Sequence, residues 1–385
     1  MNNKQKIFLI FINIILFTIV AALFEIAVRK LMHYNVDFPT RLKINVLYQP
    51  SGFISHIPVP NQIIYNVNKK GRLDTNKIKL KINQYGLRGN DFPVNKKENE
   101  IRIIIMGGSH VFDANSMEYE GNAGFPGEIE KIFREEGFNI TVINAGVPGY
   151  DSRCFIQKLS LDLYRFQPDI GILNSIWNDL KWIWTFSDSA MVSSKMPQSI
   201  KPNPLIERVN IFDKLLGSSI IYRKFRDYYW KKKLRIKNDH NIIENSGEEI
   251  IVKSSDLRKG FLQYTQNYLF SIQIIKEMNA LPIIAIEERL VHENNSRDEI
   301  DMINFKYIRG NITHNQLVNL FNNCESILTD IAKDRNILCI NTNRKMEDRK
   351  KYFVDHVHMS PEGSHFVAED YYQFLKPYIE KLSIR

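Results

Sequence analysis

The chain has 385 residues, 44% of them hydrophobic and 25% charged, with a formal net charge of +9. That composition is ordinary for a globular protein and supplies a sizeable core for one large domain with additions, or for two domains. Its three cysteines, Cys154, Cys324 and Cys339, lie far apart with no CxxC spacing, which argues against a zinc ribbon, a redox motif and a disulfide framework.

In chain order, residues 7–24 read IFLIFINIILFTIVAALF, uncharged and interrupted only by Asn13 and Thr18. A helix of that length crosses most of a bilayer core, and no small-x-small cleavage site follows it, so the reading is an uncleaved anchor rather than a cleaved signal. Lys4 and Lys6 before it nearly balance Arg29 and Lys30 after it, which leaves its orientation open. Residues 34–100 carry alternating stretches such as QIIYNVN and KIKLKIN, expected as half-exposed strands of a β-rich stem or linker.

From residue 102 the rhythm changes. Short apolar runs predict strands at 102–106, 140–143, 169–173, 281–286 and 337–340. Amphipathic stretches predict helices at 123–136, 152–164, 261–278, 315–333 and 361–375. Such alternation implies a parallel sheet covered on both faces, with sites beyond the carboxyl ends of its strands. An insertion at 181–260 breaks the alternation. Within it, 222–237 reads YRKFRDYYWKKKLRIK; eight basic residues against Asp227 leave +7 of the chain's +9. That stretch is either a solvated face or an interfacial segment meeting anionic lipid. No nucleic-acid module accompanies it.

The stretch IIIMGGSHV at 103–111 ends a buried strand on two glycines and a serine. Acting as a nucleophile, Ser109 requires a base, a group that orients the base, and donors for an oxyanion. In FVDHVHMSPEG, Asp355 and His358 have the i, i+3 spacing that brings a carboxylate to an imidazole. His356 is an alternative base, disfavoured because it adjoins Asp355. The HVH triplet is also compatible with metal ligation, although no clear third ligand appears elsewhere. After the second strand, Gly149 permits close backbone approach and offers an unobstructed N–H. After the third, Asn178 offers a side-chain amide for an oxyanion, and Asp179 is a candidate cap.

The order Ser109, Gly149, Asn178, then Asp355 with His358 resembles the SGNH, or GDSL-like, hydrolase superfamily over roughly residues 101–375. The segment NQYGLRGNDFPVNKKENEIRIIIMGGS is similar to the lead-in of its membrane-anchored bacterial members. The resemblance implies that Ser109 is the nucleophile, His358 the base and Asp355 its orienter. It further implies an oxyanion hole made of the Ser109 and Gly149 N–H groups and the Asn178 side chain, with neither metal nor cofactor. Two positions depart from the pattern. Gly108 stands where the family has aspartate, a loss expected to be tolerable, and Ile176 stands where it has glycine, which is expected to narrow the approach to Asn178. The G-x-S-x-G elbow is absent, because Val111 replaces its last glycine.

The expectation is a flavodoxin-like three-layer α/β/α fold with a parallel five-stranded sheet. It comprises an anchor over 1–33, a stem over 34–100 and a hydrolase-like domain over 101–385 that carries a helical insertion. The implied function is that of a membrane-anchored serine esterase or acyltransferase, lying outside the cytoplasm and acting on an O-acyl ester, above all O-acetyl, of a cell-envelope glycan. Two alternatives remain open: an inactive scaffold in envelope polysaccharide assembly, suggested by Ile176 and Trp177, and a lipid-directed esterase, suggested by 222–237.

Overall fold

The computed structural model describes residues 3–31, 48–51, 53–54, 56–67, 73–113, 118–119, 122–184, 219, 221–222, 225, 228–229, 254–305 and 312–384. The chain forms two compact units. One comprises Met1–Gln49, Ile64–Ile78 and Pro204–Gly247; the other comprises Pro50–Ile63, Lys79–Asn203 and Glu248–Arg385.

In the first unit, α1 (Asn3–Leu31) runs 29 residues, about 43 Å at 1.5 Å per residue. Phe8, Phe11, Phe17, Leu23 and Phe24 all stand exposed along it. Among the described residues no helix is long and apolar enough to cross a membrane. Near its carboxyl end, Glu25 Oε2 accepts hydrogen bonds from Ser219 Oγ (2.9 Å) and the Ile221 N–H (3.3 Å). Most of the insertion expected over 181–260 lies outside the described residues, as do the basic side chains of 222–237. Of that stretch Tyr222, Phe225, Tyr228 and Tyr229 are described, the last three exposed.

Four strands precede the main sheet: β1 (Tyr48–Pro50), β2 (His56–Pro58), β3 (Gln62–Val67) and β4 (Leu73–Ile82). The main sheet then builds from β5 (Ile101–Gly107), β6 (Ile140–Asn144), β7 (Ile170–Asn174), β8 (Leu281–Ala285) and β9 (Leu338–Ile340). All neighbours are parallel, in the order β9-β8-β7-β5-β6. This is the flavodoxin-like winding, in which the order reverses beside the first strand and opens a crevice there. The β5 side chains alternate between the faces, as a pleated strand requires. Ile103 and Ile105 enter one core with Phe125, Phe133, Val367 and Tyr371; Ile104 and Met106 enter the other with Phe155, Tyr264, Tyr268 and Phe321.

The helices over these faces are α2 (Phe125–Glu135), α3 (Ser152–Leu161), α4 (Trp177–Trp184), α5 (Ser254–Glu277), α6 (His314–Asp334) and α7 (Pro361–Ser383). Three depart from their expected bounds. The helix expected over 152–164 breaks at Asp162 into α3 and a 3-10 turn, Leu163–Phe166. The helix α5 begins at Ser254 rather than 261. The helix α7 continues past 375 because Ile379 extends its buried stripe beyond Leu375.

The stem expected over 34–100 is divided between the units. Residues 79–100 join the unit of the main sheet because they supply core: Leu87 is buried, and Tyr85 and Phe92 pack their rings 5.1 Å from that of Phe166.

Candidate active site

The strand β5 ends in Gly107 and Gly108, and residues Ser109–Phe112 make one helical turn closed by Asp113 in a left-handed conformation, φ 48°. Neighbours clamp that turn. Asn144 Nδ2 donates to the Val111 carbonyl (2.9 Å), and a buried Arg88 guanidinium donates to the Phe112 carbonyl. Asp113 Oδ2 accepts from the Phe125 N–H (2.9 Å) and from Ser364 Oγ (2.6 Å). The Ser109 hydroxyl is thereby held at the carboxyl end of the sheet, half-buried.

The partners of Ser109 come from the loop that precedes α7. His358 Nε2 lies 2.7 Å from Ser109 Oγ, and His358 Nδ1 lies 2.6 Å from Asp355 Oδ2. The other Asp355 oxygen accepts the N–H groups of Val357 (3.0 Å) and His358 (2.8 Å). The loop ends at a firm cap: Ser360 Oγ accepts the Gly363 N–H, and Pro361 takes the first helical position.

Electrostatics follow from that geometry. Burial disfavours the Asp355 carboxylate, but the bonds from His358 and the two amides outweigh burial and hold its pKa well below the ordinary range. Burial likewise opposes the charged form of His358; the bond and charge of Asp355, with Glu287 and Asp113 contributing, overcome it and raise its pKa. The neighbouring His356 goes the other way. Buried against the Trp177 ring, 4.0 Å between centroids, it is pushed down to about 4. Two imidazoles two residues apart are therefore shifted in opposite directions. Among the described residues, no group of three His, Cys, Asp or Glu side chains is placed to hold a metal ion.

On the opposite side of Ser109, the Asn178 Nδ2 donates to the Tyr150 carbonyl (2.7 Å). A Cβ on Gly108 would lie 2.5 Å from Asn178 Nδ2 and 3.2 Å from the Tyr150 oxygen. Gly108 is therefore the contact through which the Asn178 amide and the Gly149–Tyr150 loop reach the nucleophile turn; a side chain here would push them away. Gly149 is exposed with φ +84°, a region that favours glycine. Ile176 stands where narrowing of the approach to Asn178 was expected. Its side chain is fully buried in the core with Trp177 and Leu180, pointing away from solvent. Asp179, also buried, accepts from Ser152 N (3.1 Å), Ser152 Oγ (2.5 Å) and Ser175 Oγ (2.7 Å), tying the start of α3 to that of α4.

Two groups at this site are unmarked by any motif. His56, from β2, lies with Nε2 2.9 Å from the Pro148 carbonyl, while Tyr150 Oη donates to the His56 carbonyl (2.6 Å); together they brace the Gly149 loop. The second group is a buried polar chain. His110 Nε2 meets Asn174 Oδ1 at 3.1 Å, and Asn174 Nδ2 donates to Glu288 Oε2 at 3.1 Å. Burial raises the Glu288 carboxyl to about 7. The sequence clue is Glu287-Glu288-Arg289 directly after an apolar strand, at the end of the sheet where sites form.

No family model matches the sequence, and no curated protein matches it. Among solved structures the chain is similar to an acetylxylan esterase from Geobacillus stearothermophilus, with 12% identity, 72% of this chain and 93% of that one covered, and a TM-score of 0.40. It is similar also to the acetyl xylan esterase AlAXEase, with 14% identity, 71% and 100% covered, and a TM-score of 0.40. A third is a GDSL-like lipase from Bacteroides thetaiotaomicron, with 12% identity, 73% and 88% covered, and a TM-score of 0.35.

Proposed function

We propose that the chain is a serine esterase or acyltransferase of SGNH type, acting on an O-acyl ester, above all O-acetyl, of a cell-envelope glycan. The observation that carries this reading is the hydrogen-bonded chain Ser109–His358–Asp355, with 2.7 and 2.6 Å contacts at the carboxyl end of a parallel sheet. His358 Nε2 takes the Ser109 proton as Oγ attacks the ester carbonyl, and Asp355 stabilises the imidazolium that forms. The Ser109 and Gly149 N–H groups and the Asn178 amide receive the oxyanion; the bond to Tyr150 fixes how that amide is turned. Collapse breaks the ester C–O bond, and the departing alcohol takes the proton from His358. Water, or an acceptor hydroxyl, then gives its proton to His358 and attacks the acyl-serine, restoring Ser109.

In this reading α1 anchors the chain in a membrane with the catalytic unit outside the cytoplasm. The exposed phenylalanines of α1 support anchoring, and its uncharged run over 7–24 has the needed length. The bonds from Ser219 and Ile221 to Glu25, just past that run, support contact of 222–237 with anionic headgroups at the surface.

A serine-directed fluorophosphonate and a chromogenic acetyl ester test the reading. The full-length protein is expected to carry one adduct on Ser109 and to turn the ester over, with Ser109→Ala losing both. Absence of an adduct on the native chain, or equal turnover by the two proteins, overturns the enzymatic reading and leaves an inactive scaffold of the same fold.

A further inference from the structure

Glu287 lies two residues past β8 and is 1% exposed. Its carbonyl accepts from Asn343 Nδ2 (3.0 Å), which fixes its backbone. Its carboxylate reaches in two directions. Oε2 accepts the N–H of Trp177 at 2.8 Å and the N–H of Ile176. These amides open α4, where unpaired donors and the helix dipole favour an anion, and Asn178 is the next residue along. Oε1 lies 3.4 Å from His110 Nδ1, and His110 follows Ser109 directly. Both ring nitrogens of His110 face oxygens, Nδ1 facing Glu287 Oε1 and Nε2 facing Asn174 Oδ1.

We propose that Glu287 is a positioning residue, which sets the spacing between the nucleophile turn and the turn that carries Asn178 by bridging His110 to the Ile176 and Trp177 amides. The proposal rests on the esterase reading above. A carboxylate suits the place because both oxygens only accept; glutamine would turn an NH2 group toward one set of donors. Burying this charge without donors would be costly, and here donors of the two turns meet it. Its field also reaches the base, since Glu287 is among the groups that raise His358.

The test follows fluorophosphonate labelling of Ser109 against pH in the full-length protein, Glu287→Gln and His110→Gln, with an NMR titration of the His358 ring. Glu287→Gln is expected to slow labelling about 10–100-fold, through the maximal rate rather than reagent affinity, because small misplacements of reacting groups cost that much. Its acid limb is expected at lower pH, since His358 loses a neighbouring negative charge. His110→Gln keeps that negative charge, so it is expected to slow labelling without moving the limb to lower pH. Labelling of Glu287→Gln within about twofold of the native rate, with an unmoved limb, overturns the proposal. Should Glu287→Gln fail to fold, His110→Gln labelling at the native rate overturns it instead. A native chain without any Ser109 adduct defeats the esterase reading; an unmoved His358 titration in Glu287→Gln then defeats this proposal separately.

Discussion

The two ends of the central sheet bury charge in opposite ways. At the amino end Arg102 is fully buried and surrounded by acceptors. Its guanidinium donates to the carbonyls of Pro93 (2.9 Å), Val94 (2.7 Å), Asn95 (3.1 Å) and Phe166 (2.9 Å), and to Glu100 Oε2 (3.0 Å). Glu100 in turn accepts from Thr141 Oγ1 (2.6 Å) and the Lys97 N–H (2.8 Å). At the carboxyl end Glu287 and Glu288 are held by amides, Asn174, Tyr371 and His110. The first arrangement pairs opposite charges and ties loops to the sheet. The second gathers acids among donors, near the histidine proposed as the base. One sheet thus separates a stabilising end from a chemical end.

Four substitutions sharpen or break that contrast. The largest effect is expected from Asp355→Asn, a loss of about 10⁴-fold in kcat, because the imidazole loses its orienting carboxylate. The native base acts in its neutral form and its pKa is raised, so kcat/KM falls as pH drops through that raised value. Without Asp355 the acid limb moves to lower pH, which a pH–rate profile reads directly. Next, Arg102→Met at the amino end leaves Glu100 buried without its cation. Urea unfolding is expected to show a loss of about 3–5 kcal/mol, while kcat/KM of the folded fraction stays near native. A large catalytic loss without instability would erase the contrast. Asn178→Ala is expected to cost about 3–4 kcal/mol of barrier with little change in unfolding free energy, measured by steady-state turnover of an acetyl ester. The smallest effect is expected from His356→Phe, which keeps a ring against Trp177. The larger phenyl ring overpacks a buried site, which costs about 1–3 kcal/mol of stability, and a turnover assay should show kcat nearly unchanged. A loss comparable to that of Asp355→Asn would make His356 a participant.

Much of this arrangement was legible in the sequence. All five strands of the sheet are short and mainly apolar, and parallel strands buried on both faces must read that way. Ser109, Asp355 and His358 were legible because each follows a strand or precedes the last helix. The packing of Gly108 has no signature in the motif, since its close approach to Asn178 arises only when two loops meet. Ile176 was read as an obstruction because a sequence gives spacing without the direction of a side chain. His56 had no signal and Glu287 only the weak one of its place after an apolar strand: their partners lie far along the chain, and a lone histidine or a pair of glutamates has many ordinary uses. The stem's division between the units reflects Tyr85, Leu87 and Phe92, apolar residues scattered among turns where no period marks them as core.

Ser109 and His358 are 249 positions apart. Synthesis proceeds from the amino terminus, so the hydroxyl leaves the ribosome long before its base exists. A nascent chain therefore carries this serine before the imidazole that meets it, and their contact forms only after residue 358 has been translated.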